Sequence, residues 1–470
     1  MRPDLIRSGI KILSAVWEWI VRHPPFARYR TRSERTSVTG TNDSKPHRRL
    51  LGNIISLYLL QGLNYLIPMA LLPFLVRTLG MEQYGRIAFS QSFAQYFVLF
   101  TDYGFNFSAT RYIAQNRENR EAVRAYFWQV MIIKFVLMFA GLFLLGGTVG
   151  TVPRLRHDLF FCLVAYLAVF GNVLFPQWYF QGMEKMSSIS IYTGIAKLIS
   201  AILIFVLVRR PGDALLSLAL LSAGMVLTGL MGLSAALAKV GIRPIWPTWI
   251  QLKTTTAEAW HLFLATASIS LYTNTNVFLV GLLAGNVQAG YFSAADKLIR
   301  AIAALIFPVL QAAYPHVSRM VQSSRQQALA FYARTVRIGG LLGIGACLLF
   351  LCFARPLGLI LFGGRGEGII PVLRAIAPFP ALAVVTAGMG MLIFAPFGFE
   401  KIYSRLLLVV GVVNVIAGLI LIPIFGAFGA AVGMIVTEAF QAVAGWRLLW
   451  RNGVPLRILV GKSFRSPSQI

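Results

Sequence analysis

The chain has 470 residues, of which 57% are hydrophobic and only 13% charged, and 43 Lys and Arg against 16 Asp and Glu give it a formal net charge of +27. That apolar content exceeds what a soluble core would need, so an all-α polytopic membrane protein is expected. A nucleic-acid partner, the other reading of so basic a chain, would require a soluble basic face, and here the basic residues fall between apolar runs.

In chain order, residues 1–50 stand apart. "LIRSGIKILSAVWEWIVRH" places Ile6, Ile10, Leu13, Trp17 and Ile20 on one helical face, and the polar, basic stretch that follows has the composition of disorder. The segment reads as a basic cytoplasmic extension whose amphipathic helix lies on the anionic inner leaflet, or else as a dispensable extension. It is too charged for a secretory signal and carries no suitable cleavage site.

Beyond it, apolar windows and their breaks place spans near 52–75, 86–108, 128–148, 158–180, 188–208, 214–237, 260–283, 291–313, 337–361, 370–395, 404–423 and 428–449, about twelve in all. Uninterrupted runs such as "LLLVVGVVNVIAGLILIPIF" reach the roughly 20 residues a spanning helix needs, which argues for helices over barrel strands. Most of the 43 Lys and Arg fall in segments on one side of these spans, which makes both termini cytoplasmic. The expected organisation is an extension (1–50), a six-helix lobe (51–238), a cytoplasmic linker (239–258), a second six-helix lobe (259–450) and a basic cytoplasmic tail (451–470). Cys162, Cys347 and Cys352 sit in apolar segments without metal or redox spacing, and the histidines are scattered, so neither metal nor cofactor is expected.

Two short phrases recur. "GMEQYG" at 80–85 returns as "GNVQAG" at 285–290, pairing Gly80, Gln83 and Gly85 with Gly285, Gln288 and Gly290 at an offset of 205. "GMEK" at 182–185 returns as "GFEK" at 398–401, pairing Gly182, Glu184 and Lys185 with Gly398, Glu400 and Lys401 at an offset of 216. The first pair is expected in outer turns and the second in inner ones, as matching hinges of two parallel lobes around a central cavity. Glu184 with Lys185, and Glu400 with Lys401, are expected to neutralise one another or to anchor span ends.

These stretches also carry a resemblance. "PFLVRTLGMEQYGRIAFSQSFAQYFVLFTDYGFNFSATRYIAQNR" from Pro73, "PQWYFQGMEKMSSISIYTGIAKLISAILIFVLVRRPGDALLSLALLSAG" from Pro176 and "AGYFSAADKLIRAIAALIFPVLQAAYPHVSR" from Ala289 resemble Wzx-type polysaccharide flippases of the multidrug/oligosaccharidyl-lipid/polysaccharide exporter superfamily. The resemblance covers nearly all of the membrane part and departs from the family in the N-terminal extension. It implies a bacterial inner-membrane flippase for undecaprenyl-pyrophosphate-linked oligosaccharide, with membrane lipids and a polysaccharide polymerase as further partners.

An ionisable side chain within a span is costly unless paired or hydrated, so each is a functional candidate. "AADKLIRA" sets Asp296 and Arg300 four apart on one helical face beside Lys297. Lys197 faces an apolar counterpart, Val413, at the 216 offset, and Arg111 lies near an inner vestibule. Arg300, Lys297, Lys197 and Arg111 would suit a pyrophosphate, Arg through its bidentate fork and Lys as a point charge. The competing reading pairs these cations with Asp102, Asp296 or Glu438 for helix packing. Asn64, Gln61, Asn274 and Asn276 are the candidate glycan contacts. Asp102, Asp296 and Glu438 are the acids that a coupling proton or sodium ion would use.

No catalytic constellation is present, and no G-x-x-x-x-G-K-[ST] loop for ATP-driven transport. A drug exporter on the same fold would favour acidic rather than basic cavity residues. A peptidoglycan-precursor flippase usually carries two further spans, and a membrane glycosyltransferase would need a sizeable outer loop with catalytic acids.

Overall fold

The structure is a computed structural model, and it describes residues 66–241 and 245–454. Every regular element among them is helical. The principal helices are α1 (Leu66–Leu79), α2 (Met81–Asp102), α3 (Phe105–Gln115), α4 (Arg120–Thr151), α5 (Leu159–Leu174), α6 (Gln177–Gly182), α7 (Met186–Leu207) and α8 (Ala214–Val240) in the first half. The second half holds α9 (Trp249–Thr273), α10 (Thr275–Ala284), α11 (Asn286–Ala303), α12 (Phe307–Ser323), α13 (Arg325–Phe362), α14 (Ile370–Ile376), α15 (Phe379–Met389) and α16 (Glu400–Arg451).

Local chemistry sets the boundaries. Asn119 caps α4 by accepting from the Ala122 amide at 3.0 Å, and Thr248 with Gln251 forms a reciprocal capping box at the start of α9. Pro308, which lacks an N–H, stands just after the short 3₁₀ turn that separates α11 from α12.

Among the described residues, seven helices are long and apolar enough to cross a membrane, or up to nine when each of two bent pairs counts as one span. α16 counts once there, yet it is folded at Gly426, whose φ of 57° and ψ of −131° are not helical. A side chain added at Gly433 would meet Ala417, and one at Gly445 would meet Leu406, so the two arms pack antiparallel as a hairpin. Gln288 supports the bend by accepting from the Ala427 amide at 3.0 Å.

The two G-x-x-Q-x-G turns adopt the same shape. Gly80 (φ 87°) precedes α2 and Gly285 (φ 92°) precedes α11, both in a backbone region that other residues rarely enter. α2 and α11 then pack directly on each other. A side chain on Gly85 would overlap the Asn286 carbonyl, and one on Gly290 would overlap the Met81 carbonyl. Because 81 and 85 correspond to 286 and 290, each copy touches the other through the same two positions, the reciprocity that a two-fold axis produces.

Further links tie the halves together at this end. Asp158, fully buried, receives Arg86 from its own half at 2.7 Å and the Asn286 amide from the other at 3.4 Å. Arg77, at the end of α1, donates to the Ile360 and Leu361 carbonyls at the end of α13.

One apolar core, drawn from both halves, spans this region, including Met81, Tyr84, Ala289 and Phe292. Toward the G-x-E-K turns the cores separate. One, around Phe127, Trp178 and Tyr179, belongs to the first half together with the start of α9; the other, around Tyr332, Phe394 and Leu449, belongs to the second. The halves share one core at this joined end and have separate cores at the other, parted end, where α9 still crosses to the first half through Tyr103, Gly104 and Gln129.

The G-x-E-K turns correct an expectation. Lys185 N donates to Phe180 O and Phe399 N donates to Phe394 O, both at 2.8 Å, so the same six-residue reversal recurs at an offset of 214, not 216. The left-handed position is filled by Glu184 (φ 56°) in the first copy and by Gly398 (φ 78°) in the second. Gly182 is instead a packing position, where a side chain would strike Ile113. Nor do Glu184 and Lys185 neutralise each other: Glu184 pairs with Arg117 at 2.5 Å, which holds its carboxyl below the usual range. The neighbouring Lys239 lowers Lys185 from the usual lysine range.

Candidate functional site

A cavity of about 570 Å³ lies where α1, α2, α5, α7, α8, the α9–α10 junction and α11 converge. Its polar wall on α2 follows from spacing: Tyr84, Ala88, Gln91 and Gln95 recur every three or four residues and share one helical face. α5 contributes Asn172, α7 contributes Lys197 and Ser200, and α8 contributes Thr228. Asn274 enters at the α9–α10 break, and α11 supplies Ser293, Asp296 and Lys297.

Lys297 also lies over the Tyr84 ring, 5.2 Å from its centroid. Arg300 does not line the cavity. It donates to Asp296 at 2.6 Å, stacks on Phe379 at 5.3 Å and approaches the Met434 sulfur at 4.0 Å. Asp296 thus has its charge answered from behind by Arg300, and Lys197 and Lys297 give the cavity its positive character. The expected group of Asp296, Lys297 and Arg300 is brought together, and Lys197 joins it from the other half.

The remaining candidates are distributed differently. Asn276 is buried away from the cavity in a reciprocal amide pair with Asn414, at 3.3 and 3.0 Å. Arg111 is exposed on α3 and does not line the cavity. Gln61 and Asn64 lie outside the described residues, as does the N-terminal extension. Glu438 is buried and accepts from the Thr386 hydroxyl at 3.0 Å.

Asp102 is held by Lys134 at 2.8 Å, by Asn172 at 2.9 Å and by Asn106 at 3.2 Å. Lys134, 1% exposed, is a buried, paired cation that sequence reasoning missed. Its signal was available, since it interrupts the apolar run of α4. Gln91, Gln95 and Asn172 were missed as well, although the α2 stripe could have found the two glutamines. Among the described residues no group of His, Cys, Asp and Glu could hold a metal ion.

Solved structures share this fold. One titled as an inward-facing multidrug resistance MATE family transporter of the MOP superfamily aligns over 85% of this chain and 99% of its own, with a TM-score of 0.61 and 15% identity. The lipid II flippase MurJ in an inward closed conformation aligns over 87% of this chain and 89% of its own, with a TM-score of 0.65 and 11% identity. At those identities the likeness shows the fold alone, an all-helical multi-pass fold shared with those two proteins.

The sequence narrows it further. Residues 50–321 match the family described as polysaccharide biosynthesis protein, and the chain belongs to that family. Two curated relatives bear the name "Putative O-antigen transporter". That of Escherichia coli (strain K12) is 29% identical over 82% of this chain and 93% of its own length. That of Shigella dysenteriae is 31% identical over 82% of this chain and 96% of its own length.

Proposed function

We propose that the protein is a flippase, not an enzyme, and that it moves undecaprenyl-pyrophosphate-linked oligosaccharide across the bacterial inner membrane for surface polysaccharide synthesis. The observation that carries this reading is the cavity between the halves. Two lysines from different halves face it, the one acid in its lining is already paired, and amides and hydroxyls surround them. Such a lining suits a dianionic pyrophosphate bearing sugars: Lys197 and Lys297 supply point charges, while Gln91, Gln95, Asn172 and Asn274 offer hydrogen bonds. Arg300 acts as a positioning residue that fixes Asp296 and so leaves Lys297 for the ligand. A drug exporter for cationic compounds would be poorly served by this charge.

Alternating access of two six-helix lobes is supported by the reciprocal α2–α11 contact and by the separation of the cores at the opposite end. With both termini cytoplasmic, the joined end faces outward and the parted end faces the cytoplasm, where the lipid-linked substrate loads. Of the three acids considered for ion coupling, Asp102 and Asp296 are engaged with cations, which leaves Glu438 as the candidate.

The test is glycan export at matched membrane abundance. Lys197→Gln and Lys297→Gln should each reduce export about tenfold or more, the usual worth of a charge-assisted hydrogen bond. Arg300→Gln should be rescued in part by Asp296→Asn, because the double variant removes the exposed acid but not the lysines. Unimpaired export by the double variant Lys197→Gln, Lys297→Gln would overturn the assignment of the cavity.

A further inference from the structure

The amides that line the cavity differ in what they can offer a ligand, and at Asn172 the neighbouring charges have made the choice. Its Nδ2 donates to Asp102 Oδ1 at 2.9 Å. The same oxygen accepts from Lys134 Nζ at 2.8 Å, and the other carboxylate oxygen accepts from the Asn106 amide at 3.2 Å. A carboxylate held beside a buried lysine only accepts, so Asn172 cannot turn its own oxygen toward it. Lys134 also approaches the Asn172 backbone carbonyl, at 3.4 Å, and so holds the residue from both ends. Asn274 shows the contrast: its amide meets the Ser270 hydroxyl, which can donate or accept, so either end of that amide can face inward.

Asn172 Oδ1 is left pointing away from the ion pair. Among the described residues no donor reaches it and protein does not enclose it, which leaves it to the cavity that Asn172 lines. Its place in the cavity matters as well. Lys297 lies over the Tyr84 ring near the start of α2, whereas Asp102 is the last residue of that helix. At the helical rise per residue those two levels are roughly 27 Å apart. Asn172, bound to Asp102, therefore stands at the far end from the Lys297 ammonium. A fixed oxygen there repels the phosphate oxygens that the lysines attract and calls for a ligand group that brings a hydrogen.

We infer that Asn172 is a specificity-determining residue that accepts a hydrogen bond from a sugar hydroxyl of the substrate, and that Asp102 and Lys134 are positioning residues that keep its oxygen turned to the cavity. That the donor belongs to a sugar rests on the flippase reading. The buried ion pair then has a task that apolar packing could not perform. Apolar side chains of similar volume would fill the same space at little cost in stability, but they would let the amide turn.

The experiment measures binding to the full chain in bilayer discs. The probes are a water-soluble, two-isoprene pyrophosphate and the same pyrophosphate carrying one glucose, galactose or N-acetylglucosamine. Deoxy analogues of each conjugate remove a hydroxyl, and deoxyfluoro analogues replace it with an acceptor. At least one sugar should tighten binding about fivefold over the bare pyrophosphate, the usual worth of one hydrogen bond. One deoxy analogue and its fluoro counterpart should both lose that gain, since the donor is gone from each.

Asn172→Leu and Asn172→Ala should abolish the gain and keep the affinity for the bare pyrophosphate, which also reports that they are folded. In the double variant Asp102→Leu, Lys134→Met the gain should fall to about twofold, and the fluoro analogue should now bind better than the deoxy one, because the freed Nδ2 can face it. A merely structural ion pair would change stability or both affinities without separating the two analogues. No gain from any sugar, a full gain in Asn172→Leu, an equal loss of bare pyrophosphate binding in that variant, or a fluoro analogue accepted like the parent sugar by the unaltered protein would overturn the assignment of Asn172. An unchanged gain in the double variant would overturn the positioning role. If the bare pyrophosphate fails to bind the unaltered protein, the flippase reading itself falls, and the inference that rests on it falls too.

Discussion

The two recurring turns of this chain have been kept in different ways. At the joined end, the G-x-x-Q-x-G copies keep Gly80, Gln83 and Gly85 in register with Gly285, Gln288 and Gly290, with the same glycine conformation before each helix, and each packs against the other's backbone. At the parted end, the reversal at 180–185 recurs at 394–399 in shape, but the letters have slipped by two: Glu184 stands where Gly398 stands. A turn whose atoms meet another backbone tolerates one residue type. A turn that only has to reverse the chain beside headgroups keeps its hydrogen bonds and lets its side chains drift.

The largest effect should come from the backbone contact. Gly85→Leu or Gly290→Leu would drive a side chain into a carbonyl that cannot rotate aside, so α2 and α11 must separate. We expect a loss of about 3 kcal/mol or more in stability, read as a lower Tm of the purified protein, together with lost export. Wild-type Tm in both variants would break the comparison.

Next is the buried latch beside it. Asp158→Asn leaves Arg86 without its counter-charge, and with Arg86 partly hydrated the expected cost is about 2 kcal/mol. Cysteine probes in the cavity should become reactive from the outside more readily in this variant; unchanged labelling would mean that the latch does not hold that end closed.

Gly398→Ala should cost only about 1 kcal/mol, the penalty for a left-handed residue bearing a side chain, because open space surrounds the position. Glu184→Gly made in an Arg117→Gln background sharpens the register assignment: with the ion pair already absent, it relieves the same strain in the first copy, so little change or a slight gain in Tm over Arg117→Gln alone is expected. A clear loss would favour the 216 register over the 214 one.

The smallest effect concerns pH. Arg117 lowers the Glu184 carboxyl in the folded state, so the pair's contribution is present above the ordinary carboxylate pKa and fades as pH falls through the lowered value. Arg117→Gln should flatten the acid limb of a Tm-against-pH curve slightly, and an identical curve would leave the pair without thermodynamic weight.

The sequence by itself determined the properties that act over one turn of chain or one helix length. Apolar run length made the spans, the glycines of 80–85 and 285–290 marked their reversals, and the four-residue spacing of Asp296 and Arg300 put them on one face, where they pair. Even the break in α16 was legible, since the expected gap between 423 and 428 contains Gly426. Which charges meet across helices was decided only by the tertiary structure. Lys134 and Asp102 come from different helices, and Asp158 and Asn286 are 128 residues apart. Asn276, which looked available for a glycan, is consumed by Asn414 from the other side of the second half. Composition records that a buried polar group needs a partner, but the partner is whichever group the packing of apolar faces brings within about 3 Å, and nothing local encodes that choice.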